Sequence, residues 1–356
     1  MLETELTKML GIKYPIIQAG MGPWSTETLA VASANAGALG IVSTSGLAYK
    51  MSAPAALENK EELESKSPYE LLRMTLDWVG KRTSKAGGIL GVNIPLAEEF
   101  RELIEGLIRA TIDTRKEHSD LADRLKVIIT AAGNPIPWTG IIKESGALWF
   151  HVVPSVRHAL KAQKAGVDVV IASGREGGGH VAFQPVHSMV LLPAVVRAVD
   201  LPVVAAGGFS DGGTLVSALA MGAIGVQMGT RFIATQESDF QQIWKQKILN
   251  SDELGSVVGI SMFGPARYLK NKVALRLHEL LNQGFEAGYE EGLDLEGKGI
   301  QLCMEGKDSD MTVFFGGEVS GRINEVPTVE ALLREVSAEA EKVIEKLPGF
   351  IASKRP

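Results

Sequence analysis

Short, continuous apolar runs alternate with helix-period segments along most of this chain. The runs cover residues 15–19, 38–42, 89–94, 126–131, 148–153, 168–172, 202–206 and 224–228. They lack the apolar–polar alternation of a half-exposed strand, so each predicts a short strand covered on both faces. Between them, apolar residues recur at helical spacing over 26–35, 97–111, 138–145, 155–165, 188–199 and 211–220, and Asp211 stands where an N-cap would start the last of these. Eight such strands alternating with helices predict an α/β fold closed as a (β/α)8, or TIM, barrel. A doubly wound open sheet is the alternative.

Two stretches depart from a minimal barrel. An excursion between the second and third strands, residues 46–85, carries a charged tract at 58–66 and an amphipathic segment at 69–79, and is expected to cover part of the barrel mouth. From 254 to 327 the chain turns glycine-rich and acidic, and a final amphipathic helix is predicted over 328–347. No linker or short repeat separates these parts. The expected division is a barrel over 1–253, a cap on the substrate side over 254–327 and a C-terminal segment, 328–356, packing back on the barrel.

The densest chemistry lies in Asp168-Val-Val-Ile-Ala-Ser-Gly-Arg-Glu-Gly-Gly-Gly-His180, a strand running into Gly174, Gly177, Gly178 and Gly179 with an imidazole at the far end. A plain turn needs fewer glycines; this many let a flat or anionic group approach the backbone. A flexible surface loop with an incidental histidine is the competing reading. The next two strand ends repeat the pattern, closing on Gly207 and Gly208 and then on Gly229 and Thr230. Bare amides and a hydroxyl at consecutive strand ends suit a phosphate held without lysine, where barrels often place one.

An imidazole near neutral pH suits proton transfer from a carbon acid or a hydrogen bond to an anion. His180 is therefore the candidate catalytic group. His151, at the end of the fifth strand, is expected to reach the mouth, whereas His118, His158 and His278 fall in helical stretches. His187 lies just past the glycine turn, and a second catalytic role for it stays open. Glu176 is expected to stabilise the turn as an acceptor, and Arg175 to be a solvated loop charge or an attractor of anionic substrate.

Composition narrows the class. A chain of 356 residues that is 45% hydrophobic can bury a large single core. A formal charge of −6, with no basic cluster interleaved with aromatics, argues against nucleic acid. The one cysteine, Cys303, excludes an internal disulfide and a cysteine metal cluster, so no metal site is expected. The run 190–206 is broken by Arg197, Asp200 and prolines and cannot span a bilayer, and the N-terminus lacks a signal-peptide pattern. The expectation is a cytoplasmic protein with a small-molecule substrate and no nucleic-acid or membrane partner, with a homodimer through the apolar cap.

Six blocks stand in family order: Pro15-Ile-Ile-Gln-Ala-Gly-Met-Gly22, Gly91-Val-Asn-Ile-Pro95, Ala131-Ala-Gly-Asn-Pro135, Glu176-Gly-Gly-Gly-His180, Ala205-Ala-Gly-Gly208 and Gly225-Val-Gln-Met-Gly-Thr-Arg-Phe232. Through them the chain resembles the nitronate monooxygenases, formerly 2-nitropropane dioxygenases, whose superfamily includes flavin-dependent enoyl-acyl-carrier-protein reductases and NAD(P)H:quinone reductases. The resemblance is strong over residues 10–240 and weaker over 266–272 and the C-terminal helix. It implies FMN over the barrel mouth, lined by Gly20, Met21 and Gly22 and hydrogen-bonded by Asn93. Ser173 replaces a glutamine usual in the family, and Gly178 lies in the turn. Gly207, Gly208, Gln227, Met228, Gly229 and Thr230 would surround the ribityl phosphate. His180, at the end of the sixth strand, would be the active-site histidine.

Other departures from the family pattern are Gly177 in the turn, Ala182 after the histidine, and Gly317-Glu-Val-Ser-Gly321 where Gly-Gln-x-x-Gly is frequent. The resemblance implies oxidation of alkyl nitronates by O2 to carbonyl compounds and nitrite. An NAD(P)H-dependent reductase of an enoyl thioester or quinone is the alternative. A non-catalytic barrel binding flavin or a phosphate ligand is the reading from another class.

Overall fold

The computed structural model describes residues 2–51, 53–57 and 62–350. Its strands, in chain order, are β1 Ile16–Gln18, β2 Gly40–Ser43, β3 Leu90–Pro95, β4 Leu125–Ala131, β5 Leu148–Val153, β6 Val169–Ser173, β7 Gly179–His180, β8 Val203–Ala206, β9 Gly225–Met228, β10 Ser256–Ser261 and β11 Gly264–Leu269. Eight of them form one parallel sheet in the order β1-β9-β8-β6-β5-β4-β3-β2. The two ends meet through a parallel bridge between Ile17 and Leu39. There Gln18 extends the short ladder with its side chain, its Oε1 accepting the Ile41 N–H at 2.8 Å. The sheet is thus a TIM barrel, as the apolar runs predict.

Side-chain alternation divides the core in two. Ile17, Ile41, Val127, Ile129, Phe150, Val169, Ile171 and Val204 fill the barrel, with Leu6 and Leu10 of the helix Glu5–Leu10 joining the same cluster. Their neighbours in sequence, such as Ile128, Trp149 and Val170, point outward into the layer shared with the helices. That is the physical content of continuous apolar runs: the barrel strands are covered on both faces.

The connecting helices follow the helical-period segments. Asp211 caps Gly212–Ala220, its Oδ1 accepting the Thr214 N–H at 2.8 Å. The segment expected at 97–111 instead begins as a single 3-10 turn, Glu98–Phe100, and runs on as Arg101–Glu117. Ile112 and Thr114 extend its buried stripe past the expected end. In the excursion, Pro68–Thr83 is a helix capped by Ser67, and it packs on Arg101–Glu117 and Glu27–Ala36. Of the charged tract expected at 58–66, residues 58–61 lie outside the described residues, and Glu62–Ser65 is a short helix. The final helix, Val329–Lys346, capped by Thr328, packs between Gly212–Ala220 and Glu27–Ala36. It closes the helical ring where the eighth helix of the barrel would lie.

The stretch 254–327 is more regular than its composition suggests. β10 and β11 form a hairpin, followed by the helices Lys272–Gln283 and Phe285–Met304. Phe285–Met304 escapes a propensity reading because its glycines disfavour helix. Three of the four are there for packing: a Cβ at Gly288, Gly292 or Gly299 would lie within 2.8 Å of Leu280, Ile260 or Val313, whereas one at Gly297 would meet nothing within 4 Å. Cys303 continues the same buried stripe, fully enclosed, and burial followed by the charge of Asp308 pushes its thiol up to about 12. It should not react with a thiol reagent in the native protein and should give one equivalent per chain in denaturant; native reactivity would contradict this packing. No helix among the described residues is long and apolar enough to cross a membrane.

Candidate active site

The carboxyl ends of the barrel strands converge on the glycine turn. β6 ends at Ser173, and the next N–H, of Gly174, donates to the Ala206 carbonyl at 2.9 Å. Gly207, just past β8, takes φ +86°, and a Cβ there would stand 2.7 Å from the Gly174 oxygen. Only glycine allows the two strand ends to touch in this way. Gly178 is pressed equally hard on the other side, where a Cβ would lie 2.6 Å from Gly316 and Gly317 backbone atoms.

The turn's charged residues hold it in place. Glu176 accepts the Ser188 N–H at 3.0 and 3.1 Å and its hydroxyl at 3.0 Å, capping the helix Ser188–Ala198. His187 Nδ1 lies 3.6 Å from that carboxylate, on the exposed outside of the turn. Arg175 is exposed, and its carbonyl accepts from Nε and Nη2 of buried Arg267 at 3.2 and 3.0 Å. Arg267 also pairs with Glu318 at 2.9 Å, binding the turn to the cap.

Around the rim, the N–H groups of Gly207, Gly208, Gly229 and Thr230 donate to no protein acceptor among the described residues. Thr230 Oγ1 accepts the Gly317 N–H at 3.0 Å and keeps its own proton to donate. By strand alternation Gln227 points inward at the end of β9, and its Oε1 is buried without a hydrogen-bond partner. Such an orphan acceptor costs about 1–3 kcal/mol unless something donates to it. Asn93, inward at the end of β3, packs so closely on Gly20 that a Cβ at Gly20 would lie 2.5 Å from its own Cβ. A Cβ at Gly229 would meet the Met21 sulfur at 3.4 Å, and one at Gly22 would meet Ser45. Ser173 sits beside Gly177 under the turn. These residues gather on one rim and could hold a planar ligand with N–H donors and an anionic tail. Met228 joins them only by its backbone, because alternation turns its side chain into the outer core.

His180 lies beyond β6 rather than at its end. It belongs to β7, which pairs antiparallel with β11 of the cap through His180–Ala266 and Gly179–Arg267. The cap thus carries the imidazole over the mouth. Its ring centroid is 5.5 Å from that of Phe263 and 6.4 Å from that of Phe315, and Phe263 continues through Phe100 to Tyr49 as a row of aromatic rings. His180 keeps part of its surface exposed, yet protein packs closely around the ring, and this desolvation lowers its pKa to about 4. At neutral pH it is an uncharged base. Nε2 contacts Ser261 Oγ at 3.3 Å, while Nδ1 has no partner among the described residues.

The expectation that His151 reaches the mouth is corrected. Its position in β5 points outward, where Nδ1 meets Thr130 Oγ1 at 2.7 Å beside Trp149. Burial, then the charges of His158 and Lys161, lowers its pKa to about 4. Between that value and about 6.5 the unfolded chain binds more protons than the folded one, so the contribution to stability is full above 6.5 and is lost as pH falls towards 4. His151→Leu should flatten the fall in unfolding free energy between pH 7 and pH 5 by about 2 kcal/mol in urea melts. An unchanged slope would contradict the burial.

Ser261, Phe263, Tyr268, Glu296 and Phe315 escape the sequence reading, because they lie in the cap, outside the repeating units. One signal is present for Glu296: it falls on the helical stripe of Gly288, Gly292, Gly299 and Cys303, which marks a buried carboxyl.

The model of the family described as nitronate monooxygenase matches residues 3–339. A relative from Rhodococcus jostii, (3aS,4S,5R,7aS)-5-hydroxy-7a-methyl-1-oxo-octahydro-1H-indene-4-carboxyl-CoA dehydrogenase, is 31% identical over 99% of each chain. A probable nitronate monooxygenase of Staphylococcus aureus is 30% identical over 76% of this chain and 79% of its own. Among solved structures, FabK of Thermotoga maritima superposes with a TM-score of 0.81 at 31% identity, covering 99% of this chain and 100% of the other.

Proposed function

The chain belongs to the nitronate monooxygenase family of oxidoreductases, and from that premise we propose that it is an FMN-dependent enzyme oxidising alkyl nitronates with O2 to carbonyl compounds and nitrite. The observation that carries the cofactor is Gln227 Oε1, a buried acceptor without a donor, on the same rim as four unused amides. FMN has ring N–H groups for such an acceptor and a phosphate for such amides. Gly207, Gly208, Gly229 and Thr230 would hold the phosphate, and Asn93, Gln227, Ser173 and the 20–22 segment would border the ring, with Gly178 and the Met228 backbone completing the walls. When bound, FMN supplies the electron transfer and oxygen chemistry that no side chain here can provide.

The remaining steps belong to the chain. His180, uncharged at neutral pH, takes the proton of a parent nitroalkane at Nδ1, or in its other tautomer donates to a nitronate oxygen. Phe263 and Phe315 flank that imidazole and lower the dielectric on their side of the developing anion. Glu176 and His187 act on the turn rather than on substrate, and Arg175, exposed at its edge, is left for steering an anion.

A second reading rests on the aromatic row from Phe263 through Phe100 to Tyr49, which offers more apolar surface than a small nitronate needs. It favours an NAD(P)H-dependent reductase of an enoyl thioester, in keeping with the thioester substrate in the name of the Rhodococcus relative. Anaerobic mixing separates the two. Flavin bleaching by a nitronate but not by NADH or NADPH supports the monooxygenase; rapid bleaching by a nicotinamide supports the reductase. Protein that binds no FMN overturns both.

A further inference from the structure

We propose that Ser261 and Glu296 form a proton relay behind His180, carrying to a buried carboxyl the proton that the imidazole receives from a carbon acid. This assignment rests on the reading of His180 as the base. Ser261 Oγ lies 3.3 Å from His180 Nε2 and 2.5 Å from Glu296 Oε1, so one hydroxyl bridges the imidazole and the carboxyl. Glu296 is only 3% exposed, and no basic side chain is paired with it. Its other contacts are the Met262 N–H, donating to Oε2 at 3.1 Å, and the Tyr268 hydroxyl, 2.7 Å from Oε1.

The Tyr268 hydroxyl is what makes this more than a brace. It lies 2.8 Å from the Ile260 carbonyl as well as 2.7 Å from Glu296, and it has one proton for the two acceptors. With Glu296 ionised, Tyr268, Ser261 and Met262 all donate to it. With Glu296 protonated, Tyr268 turns to Ile260 and the acid donates to Ser261. Both protonation states are therefore hydrogen-bonded without moving a heavy atom, and burial, which raises the pKa of Glu296, makes its anion a good proton acceptor.

The protons balance. The substrate C–H bond breaks and its proton joins His180 Nδ1, the electron pair staying on carbon. The Nε2 proton passes to Ser261 Oγ, and the Ser261 proton passes to Glu296 Oε1. The net change is substrate anion plus neutral Glu296, with no imidazolium left against Phe263 and Phe315. Neither ring could stabilise it as a carboxylate would. Ser261 and Glu296 are positioning residues; His180 touches the substrate.

Two measurements decide the matter. In holoprotein labelled with nitrogen-15 at histidine, the His180 resonance, assigned by its loss in His180→Gln, should show the neutral ring protonated at Nε2. Ser261→Ala should erase that preference and Ser261→Thr restore it. A proton on Nδ1 in the wild type, or no change in Ser261→Ala, overturns the bridge. Kinetically, Glu296→Gln should lower kcat on a neutral nitroalkane at least tenfold more than on the preformed nitronate, because only the former needs a proton removed. Equal losses on both, or no loss, overturn the relay. If the wild type oxidises neither compound, the nitronate reading fails, and the tautomer measurement still decides whether the Ser261 bridge exists.

Discussion

Replacing His180 with glutamine is expected to lower kcat on a nitroalkane by about 10²–10⁴-fold while leaving FMN affinity unchanged. The separation follows from geometry. The imidazole is carried by β7 and held by the cap hairpin, whereas the unused amides belong to the ends of β8 and β9. Glutamine keeps a polar head of similar reach but cannot act as a base. Desolvation keeps the wild-type imidazole uncharged down to about pH 4, so a loss of nitroalkane activity between neutral pH and pH 5 is expected to follow protonation of Glu296 rather than of His180. Oxygen uptake against pH, together with a flavin titration, checks both halves. A loss below about tenfold, or a matching loss of flavin, would remove His180 from the chemistry.

The second large effect is expected at Gly207. Its φ of +86° is strained for any residue with a side chain, and a Cβ would stand 2.7 Å from the Gly174 oxygen and 2.9 Å from its nitrogen. In Gly207→Val the branched side chain must push the ends of β6 and β8 apart. The cost, about 1–3 kcal/mol from strain alone, falls on the amides assigned to the phosphate. FMN affinity should drop at least about 100-fold, corresponding to roughly 2.7 kcal/mol. Gly140→Ala is the control, since a Cβ at Gly140 meets nothing within 4 Å. Fluorescence titration with FMN distinguishes them; equal affinities would show that the turn does not build the site.

The barrel is legible in the sequence because its strands are covered on both faces, and such runs differ from helices in length and punctuation. The rim is legible because close approach of β6, β8 and the cap admits only glycine at 178 and 207. What sequence obscures is the cap. Phe285–Met304 has glycines where helix propensity disfavours them, and only its packing on Ile260, Leu280 and Val313 explains those at 288, 292 and 299. The same blind spot moves His180: the six residues between the end of β6 and the imidazole give no hint that β11 captures it. His151 fails for a simpler reason. Strand alternation, readable from Phe150 facing inward, already sends its neighbour outward.

The departure at Gly317-Glu-Val-Ser-Gly321 also gains a physical meaning. Gly317 donates to Thr230 at 3.0 Å, the Glu318 N–H donates to the Glu176 carbonyl at 3.0 Å, and the Glu318 carboxylate reaches Arg267 at 2.9 Å. This segment bolts the cap to the rim. A glutamine in place of Glu318 would leave the buried guanidinium of Arg267 with a weaker partner.

The most direct test of the central claim is a crystal structure of the protein with FMN bound. The phosphate is expected on the N–H groups of Gly207, Gly208, Gly229 and Thr230, with a donor on Gln227 Oε1 and the His180 ring facing the flavin. Flavin bound elsewhere, or seated there with Gln227 Oε1 still without a donor and His180 turned away, would contradict that claim.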